Sequence, residues 1–164
     1  MSKLADIQHL FTEALNKFGH VDIVVNNAGV GLFKPHAEIT EEEFDHTLAL
    51  NTKGAFFILQ QAARHITDNG RIVNISVAGT AAPFALAGLN NGSRAAADQF
   101  TLSLGKELGS RGITVNNVAL GLTRTEGLDK SPPREIREKV EPQIPLGRLG
   151  EPEDIADIVA FMQP

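Results

Sequence analysis

The sequence of 164 residues contains no cysteine, no tryptophan and no tyrosine. The absence of cysteine excludes disulfide bonds, thiolate metal ligands and cysteine nucleophiles. The absence of tyrosine excludes every mechanism that needs a phenolic proton donor. The most apolar stretch, residues 78–89, is too short to span a bilayer, and the charged first residues are unlike a signal peptide. We therefore expect a soluble, cytoplasmic protein without a membrane partner.

Basic residues are also scarce, with 15 Lys and Arg against 20 Asp and Glu and a formal net charge of -5. A nucleic-acid surface needs clustered cations that neutralise phosphates, so we expect no nucleic-acid partner. Hydrophobic residues make up 42% of the chain and charged residues 21%, which is an ordinary globular balance. The length, together with the lack of repeats or linkers, predicts one domain over residues 1–164. No cluster of residues predicts a metal site.

Hydrophobic periodicity and turn residues predict helices that alternate with strands. The predicted elements are a helix over 4–18, a strand over 21–25, a helix from a capping box at 40–43 that continues to Asn69-Gly70, a strand over 71–76, a helix over 91–108, a strand over 113–119, a short polar helix near 133–140 and a last helix capped by 151–154. This alternation indicates right-handed crossovers and a parallel sheet. The predicted fold class is α/β with three layers.

Small polar residues follow each predicted strand. Asn26-Asn27-Ala28-Gly29 comes after the first strand, Ser76 ends the second, and residues 121–125 follow the third. Ligands of open parallel sheets bind beyond the carboxyl ends of the strands, so these residues predict a polar cleft. Ordinary strand-to-helix turns favour the same residue types, and the residues taken singly leave that alternative open.

Five motifs taken together resemble the short-chain dehydrogenase/reductase family. They are Asn26-Asn27-Ala28-Gly29, Asn51 with Gly54, the strand 70–76 that ends at Ser76, the strand start 111–116, and the segment 145–156. They occur in the family's order and spacing, and the resemblance runs over residues 4–162. The resemblance implies a partial Rossmann-type domain, whose strands correspond to the fourth, fifth and sixth of the family sheet.

The resemblance also implies a function. It implies binding of NAD or NADP and hydride transfer between the nicotinamide and a small carbonyl or alcohol substrate. Ser76 matches the serine that polarises the substrate oxygen, and Asn51 matches the asparagine that anchors a water relay. Family members form homo-oligomers, which points to the helix Asn91–Leu108 as an interface. The implied cofactor-binding residues are Asn26, Asn27, Ala28, Gly29, Arg94, Gly121 and Thr125.

The family's Tyr-x-x-x-Lys motif is altered in this chain. Asn90 lies at the tyrosine position and Arg94 at the lysine position. An arginine can hold a ribose hydroxyl and stays cationic, but a carboxamide cannot deliver a proton at neutral pH. Loss of the general acid removes an effect worth about 10²–10⁴ in rate, so we expect weak or absent activity. His36 is a remote candidate for a replacement acid, and an exposed loop histidine is the favoured interpretation.

Two further differences from the family concern segments that bind the cofactor in family members. Leu120-Gly121 stands where the family has Pro-Gly, and the sequence contains no Gly-x-x-x-Gly-x-Gly turn. The resemblance therefore implies a domain truncated at both ends, with the strand 21–25 as an uncovered hydrophobic edge. Three hypotheses remain. The first is a reductase whose missing strands reflect a truncated gene model or come from a partner chain. The second is a non-catalytic relative that acts as an oligomerisation or interaction module, and the third is a decayed or artificial fragment without function.

Overall fold

The computed structural model describes residues 1–125, 128 and 134–163 of the chain. Its strands are β1 (Val21–Asn26), β2 (Ile66–Val77) and β3 (Thr114–Leu120), and its helices are α1 (Leu4–Phe18), α2 (Glu41–Leu48), α3 (Ala55–His65), α4 (Gly88–Leu108), α5 (Arg134–Val140) and α6 (Pro152–Phe161). A π-helical segment, Ala49–Gly54, joins α2 to α3. Pro133, where the short polar helix was predicted to begin, lies outside the described residues.

The three strands form one parallel sheet in the order β1-β2-β3. Val24 pairs with Ile72, and Ile72 pairs with Val115 on its other side. The predicted parallel α/β sheet is confirmed, and its strands are joined by helical crossovers. On its outer side β1 has no partner strand among the described residues.

Helices cover both faces of the sheet. On one face, Ile72 and Val115 pack in a buried cluster with α1, α3 and α4, whose members include Ile7, Phe11, Leu59 and Leu104. On the other face, Val73, Ile75 and Val118 are covered by Ile155, Val159 and Met162, of which the first two belong to α6. The predicted three-layer arrangement is therefore present, because a sheet with two apolar faces must bury both of them.

The boundary between α3 and β2 differs from the prediction. The helix ends at His65, and β2 begins at Ile66 rather than Arg71. Asn69, with φ 62°, lies inside β2, where the register with β1 shifts between Val21 and Ile23. Arg111 explains the early end of the helix, because its guanidinium donates to the carbonyls of Ala63 at 3.2 Å and Ile66 at 2.6 Å. The Asn-Gly pair is a kink within a strand, not the end of a helix.

The capping motifs predicted at residues 40–43 and 151–154 are confirmed. Thr40 Oγ1 accepts from Glu43 N at 3.2 Å, and Glu43 Oε2 accepts from Thr40 N at 2.9 Å, which is a reciprocal capping box at α2. At α6 the Asp154 carboxylate accepts from the Glu151 backbone N–H at 2.8 Å. Both helices therefore begin where the sequence predicts.

Candidate functional site

Helix α4 lies across the carboxyl end of β2 and holds it at two points. Arg94 Nη1 donates to the Ile75 carbonyl at 3.3 Å. Three residues beyond Ser76, the Asn91 carboxamide lies against Gly79, where an added Cβ would come within 2.5 Å of Asn91 Oδ1. Ser76 lies between these two contacts, on the same strand face as Ile72, which packs against α3 and α4. The buried serine side chain is therefore on the sheet face that α3 and α4 cover.

Arg94 also reaches the loop that follows β1. Its guanidinium lies against Gly29, where an added Cβ would be 2.4 Å from Nη2. Burial lowers the pKa of Arg94 from its usual value, and the negative charge of Asp98 opposes this shift. An arginine remains protonated under both influences. Its Nε is buried and has no hydrogen-bond partner among the described residues, so the cation has donor capacity that those residues do not use.

Asn90 and Asn91 form a pair of buried carboxamides. Asn90 is 3% exposed and Asn91 7% exposed. Asn90 Nδ2 donates to Asn91 Oδ1 at 3.1 Å, while Asn91 Nδ2 has no partner among the described residues. The Ser76 hydroxyl, on a residue that is 1% exposed, is likewise buried without a partner. Together with Arg94 Nε, these are three buried polar groups of the site without a partner among the described residues, whereas buried polar groups are ordinarily hydrogen-bonded.

Asn51 joins the loop after β1 to α4. Its Oδ1 accepts from Val30 N at 2.9 Å, and its Nδ2 donates to the Val30 carbonyl at 2.9 Å and to Ser93 Oγ at 3.0 Å. Ser93 Oγ in turn donates to the Asn90 carbonyl at 2.9 Å. Asn51 lies in the π-helical segment, and π turns inside helices are frequent at functional sites. The predicted site residues Asn51 and Asn90 therefore belong to one hydrogen-bonded network.

A row of hydrogen-bonded asparagine side chains, here called the asparagine ladder, crosses the three strands and joins the sheet to α4. Asn26 Nδ2 donates to Asn74 Oδ1 at 2.8 Å, and Asn74 Nδ2 donates to Asn117 Oδ1 at 2.8 Å. Asn117 Nδ2 ends the ladder on the Asp98 carbonyl of α4, at 3.2 Å. The ladder uses the amide group of Asn26, one of the predicted cofactor-binding residues, whereas Asn26 Oδ1 has no partner in the described part of the chain.

The other predicted cofactor-binding residues lie on the surface at the strand ends. Asn27, Ala28 and Gly29 are exposed after β1, and Gly121 and Thr125 are exposed after β3. The segment after β3 is held by pairing with Gly150, which accepts from Arg124 N at 2.8 Å and donates to the Leu122 carbonyl at 2.9 Å. The structure joins Gly29 to Arg94 directly. Gly121 and Thr125 are placed at the same edge of the sheet by their own segment.

The loops after β1 and β2 are tied together. Phe33 and Phe84 stack with ring centroids 5.9 Å apart, and Lys34 N donates to the Leu86 carbonyl at 2.9 Å. Leu86 has φ 70°, an uncommon conformation for a bulky residue, and such strain is found at functional sites. His36 is exposed, with its ring against Gly88, and lines the groove between α2 and α4. This placement agrees with an exposed loop histidine.

Sequence reasoning missed Asn74, Asn91, Ser93 and Asn117 as members of the site. A signal was present for the ladder, because Asn26, Asn74 and Asn117 interrupt apolar parallel strands, and buried amides must be paired with one another. Asn91 and Ser93 had no such signal, since their role depends on how α4 is rotated against β2.

Within the described residues, no helix is long and apolar enough to cross a membrane. Across the same residues, no group of three or more His, Asp or Glu side chains is arranged to hold a metal ion.

The chain matches a known family over residues 1–163, and that family is described as Enoyl-(Acyl carrier protein) reductase. Among curated proteins, it is 41% identical over 175 residues to a hydroxynaphthalene reductase-like protein of Metarhizium brunneum, which covers 99% of this chain and 66% of that protein. It is 38% identical to a short chain dehydrogenase of Passalora fulva, over 97% of this chain and 64% of the relative.

The solved structures that are similar to this chain include dehydrogenases and reductases. A dehydrogenase from Burkholderia cenocepacia with bound NADP superposes with a TM-score of 0.89 at 31% identity, covering 99% of this chain and 63% of that one. An angucycline C-6 ketoreductase with bound NADP superposes with a TM-score of 0.89 at 36% identity, covering 99% and 65%. The chain thus spans about 66% of the length of the first curated relatives that it matches.

Proposed function

Because this chain belongs to the short-chain dehydrogenase/reductase family, we propose that it is part of an NAD(P)-dependent oxidoreductase acting on a carbonyl or alcohol. The observation that supports the proposal most directly is the convergence of Ser76, Asn51 and Arg94 at the seam between α4 and the end of β2. Arg94 donates to the residue before Ser76, and Asn51 binds α4 through Ser93.

The residues at this seam suit the nicotinamide half of such a cofactor. Arg94 offers a buried cation whose guanidinium lies against Gly29 and whose Nε has no partner among the described residues. Since Asn27, Ala28 and Gly29 are exposed there, a ribose could approach the backbone and accept from the guanidinium. Gly121 and Thr125 would contact the nicotinamide amide from the third strand end. When bound, the reduced cofactor supplies the hydride.

In this proposal the side chains of the seam polarise the substrate. The Ser76 hydroxyl donates to the substrate oxygen, and Arg94 adds positive charge nearby. Asn90 holds the position of the acid, and its amide can donate a hydrogen bond without transferring a proton. We therefore expect a reductase slower by about 10²–10⁴ than one with a phenol at that position. A proton would have to come from water.

The names of similar proteins suggest the substrate class. One relative is a hydroxynaphthalene reductase-like protein, and one structural neighbour is an angucycline C-6 ketoreductase. We propose a ketone on a fused, partly aromatic ring system as the substrate, with NADP as the cofactor, as in the two NADP-bound neighbours.

Cofactor binding is tested by titrating NADPH and NADH and following their fluorescence. A saturable signal for either cofactor is expected, and no signal up to millimolar concentration would contradict the proposal. The acid position is tested by comparing the chain with the Asn90→Tyr and Arg94→Lys double variant in a 2-tetralone reduction assay. We expect a rate increase of about 10²–10⁴. An Arg94→Lys single variant is the matched control. Its reduction rate should stay close to that of the parent chain, because it lacks the phenol.

The interaction-module hypothesis has an observation of its own. An open groove of about 830 Å³ runs between α2 and α4 and is lined by apolar residues that include Ile39, Phe44, Leu48 and Leu89. Phe44 is 46% exposed. We propose that this face, on the helix predicted as an interface, binds a second copy of the chain.

A further inference from the structure

Three buried hydrogen-bond donors at the seam between α4 and β2 have no partner among the described residues. They are Ser76 Oγ, Asn91 Nδ2 and Arg94 Nε. Leaving a buried donor unsatisfied costs free energy, and the cost is removed when an acceptor binds. Ser76 and Arg94 were expected in the site by resemblance, whereas Asn91 has no role assigned so far.

The orientation of the Asn91 amide is set by its neighbours. Its oxygen accepts from Asn90 Nδ2 at 3.1 Å, so the NH₂ group is the end that stays available. The amide also lies against Gly79, where an added Cβ would come within 2.7 Å of Nδ2. Any larger residue at position 79 would displace the amide, so the glycine provides the space that lets Asn91 reach the end of β2.

The position of the Asn91 amide relative to Ser76 follows from the two contacts that flank the serine. Arg94 is bonded to Ile75 on one side of Ser76, and Asn91 touches Gly79 on the other. Asn91 and Arg94 are one helical turn apart on α4, so they lie on the same helix face. Arg94 and Asn91 therefore contact the chain on either side of Ser76 from one face of α4. Asp98 Oδ1, also buried without a described partner, is a further turn along α4, on the far side of Arg94 from Asn91.

We propose that Asn91 Nδ2 and Ser76 Oγ together bind the carbonyl oxygen of the substrate, with Asn90 as the positioning residue that fixes the Asn91 amide. Two preorganised donors aimed at one oxygen are the arrangement that polarises a carbonyl in a site without water. The proposal rests on the proposed function, since it names how this chain holds a ketone when no phenol is present.

The experiment measures ketone binding by the complete chain, without turnover. The probe is 2-tetralone with a ¹³C-labelled carbonyl, in the presence of NADP⁺, which cannot reduce it. Calorimetry gives the affinity, and isotope-edited infrared spectroscopy gives the carbonyl stretching frequency. Bound to the parent chain, the carbonyl band should move to lower frequency than in apolar solvent.

Asn91→Leu keeps the size of the side chain and removes the donor. We expect the band to return toward its apolar-solvent position and the affinity to fall about tenfold, the loss that corresponds to one buried hydrogen bond. Thermal stability should be unchanged or higher, because the removed amide hydrogens had no partner. Asn90→Leu should give a smaller band shift than the parent chain, and Gly79→Ala should reduce the shift by displacing the amide.

The control is Asn16→Leu on the exposed surface of α1, which should leave both the band and the affinity unchanged. An unshifted band in the parent chain, or equal bands and affinities in the parent and Asn91→Leu, would overturn the proposal. The result is independent of the NADPH titration. If the carbonyl band shifts and the shift depends on Asn91, but NADPH does not bind, only the oxidoreductase proposal is contradicted. If NADPH binds but the carbonyl band does not shift, only the proposed role of Asn91 is contradicted.

Discussion

Arg94 and Gly29 fit each other closely, because the guanidinium occupies the space that a side chain at position 29 would need. This contact brings the loop after β1 to α4. Since the guanidinium is the end of a flexible side chain, a small group at position 29 would move it without breaking the core. A substitution at position 29 should therefore change the position of the cation more than the stability of the fold.

We expect Gly29→Ala to weaken NADPH binding by about tenfold, through the loss of roughly one hydrogen bond to a charged group. The free energy of unfolding should change by less than about 1 kcal/mol, as for other surface substitutions. Fluorescence titration and thermal unfolding measure the two effects. Gly92→Ala is the matched control, because an added Cβ there meets nothing within 4 Å. Equal NADPH affinity in the parent and Gly29→Ala would contradict the role of this contact.

The residues of the site were predictable where a motif names them, and not where rotation of a helix decides. Ser76, Asn51 and Arg94 follow from their place after predicted strands or within motifs. The place of Asn91 in the site could not be predicted from neighbouring residues, because the sequence does not show which face of α4 contacts Gly79. The roles of Asn90 and of the predicted cofactor-binding residues stay predictions until cofactor binding and activity are measured.

Helix α6 begins with an ion pair as well as a cap. Arg148 Nη1 and Nη2 donate to the two carboxylate oxygens of Asp154 at 2.6 and 2.9 Å. These bonds, together with the Glu151 backbone N–H, lower the pKa of Asp154 from 3.8 to about 2. A carboxyl whose pKa is depressed on folding stabilises the fold above its unfolded pKa and loses that contribution as the pH falls toward the folded value.

We therefore expect Asp154→Asn to lower the melting temperature at pH 7 and to flatten the decline of stability between about pH 4 and pH 2. The direction follows from the loss of the ionised cap at the start of α6. Thermal melts at closely spaced pH values test it. Asp157→Asn, in the same helix, is the control and should follow the parent curve. A parent-like pH dependence in Asp154→Asn would be evidence against the ion pair.

Element boundaries were set by the sequence where caps occur and by tertiary contacts where they do not. The Thr40 capping box and the Glu151–Asp154 cap fix the starts of α2 and α6 through bonds between near neighbours. The end of α3 depends on Arg111, about 45 residues away along the chain, whose guanidinium takes the carbonyls of Ala63 and Ile66. Hydrophobic periodicity contains no information about such a distant partner.

The outer strand β1 leaves apolar surface open in the molecule as a whole. Ile23 is 37% exposed and Val25 41% exposed, and the outer edge of β1 is unpaired among the described residues. Exposed apolar edge strands promote edge-to-edge association. The exposure agrees with the expectation that the strand 21–25 is an uncovered hydrophobic edge.

Ile23→Lys should therefore reduce aggregation of the isolated chain, because a charged side chain on an edge strand opposes pairing with another copy. Static light scattering during prolonged incubation measures the effect. Ile158→Lys, at a 45% exposed position of α6, is the control and should aggregate as the parent does. Equal aggregation of the two lysine variants would argue against the edge as its origin.

The groove between α2 and α4 gives a second expectation for the assembled molecule. Phe44→Glu should shift the chain from a dimer or larger oligomer to a monomer in sedimentation velocity, because a charge in an apolar interface is costly to bury. Phe18→Glu, at a 63% exposed position of α1, should leave the assembly unchanged. A parent chain that is already monomeric would contradict the interface.

The amino-acid sequence was sufficient to predict the family, the parallel α/β fold and the order of the elements. These follow from local periodicity, from caps and from short motifs, all of which depend on near neighbours in the chain. It also determined that no phenol is present. Which buried polar groups are hydrogen-bonded and which have no partner depends on the tertiary structure. The reason is that hydrogen bonds such as those of the asparagine ladder join residues more than 40 positions apart. Asn90 Nδ2 is bonded to Asn91 Oδ1, and Asn91 Nδ2 is one of the buried donors that have no partner among the described residues.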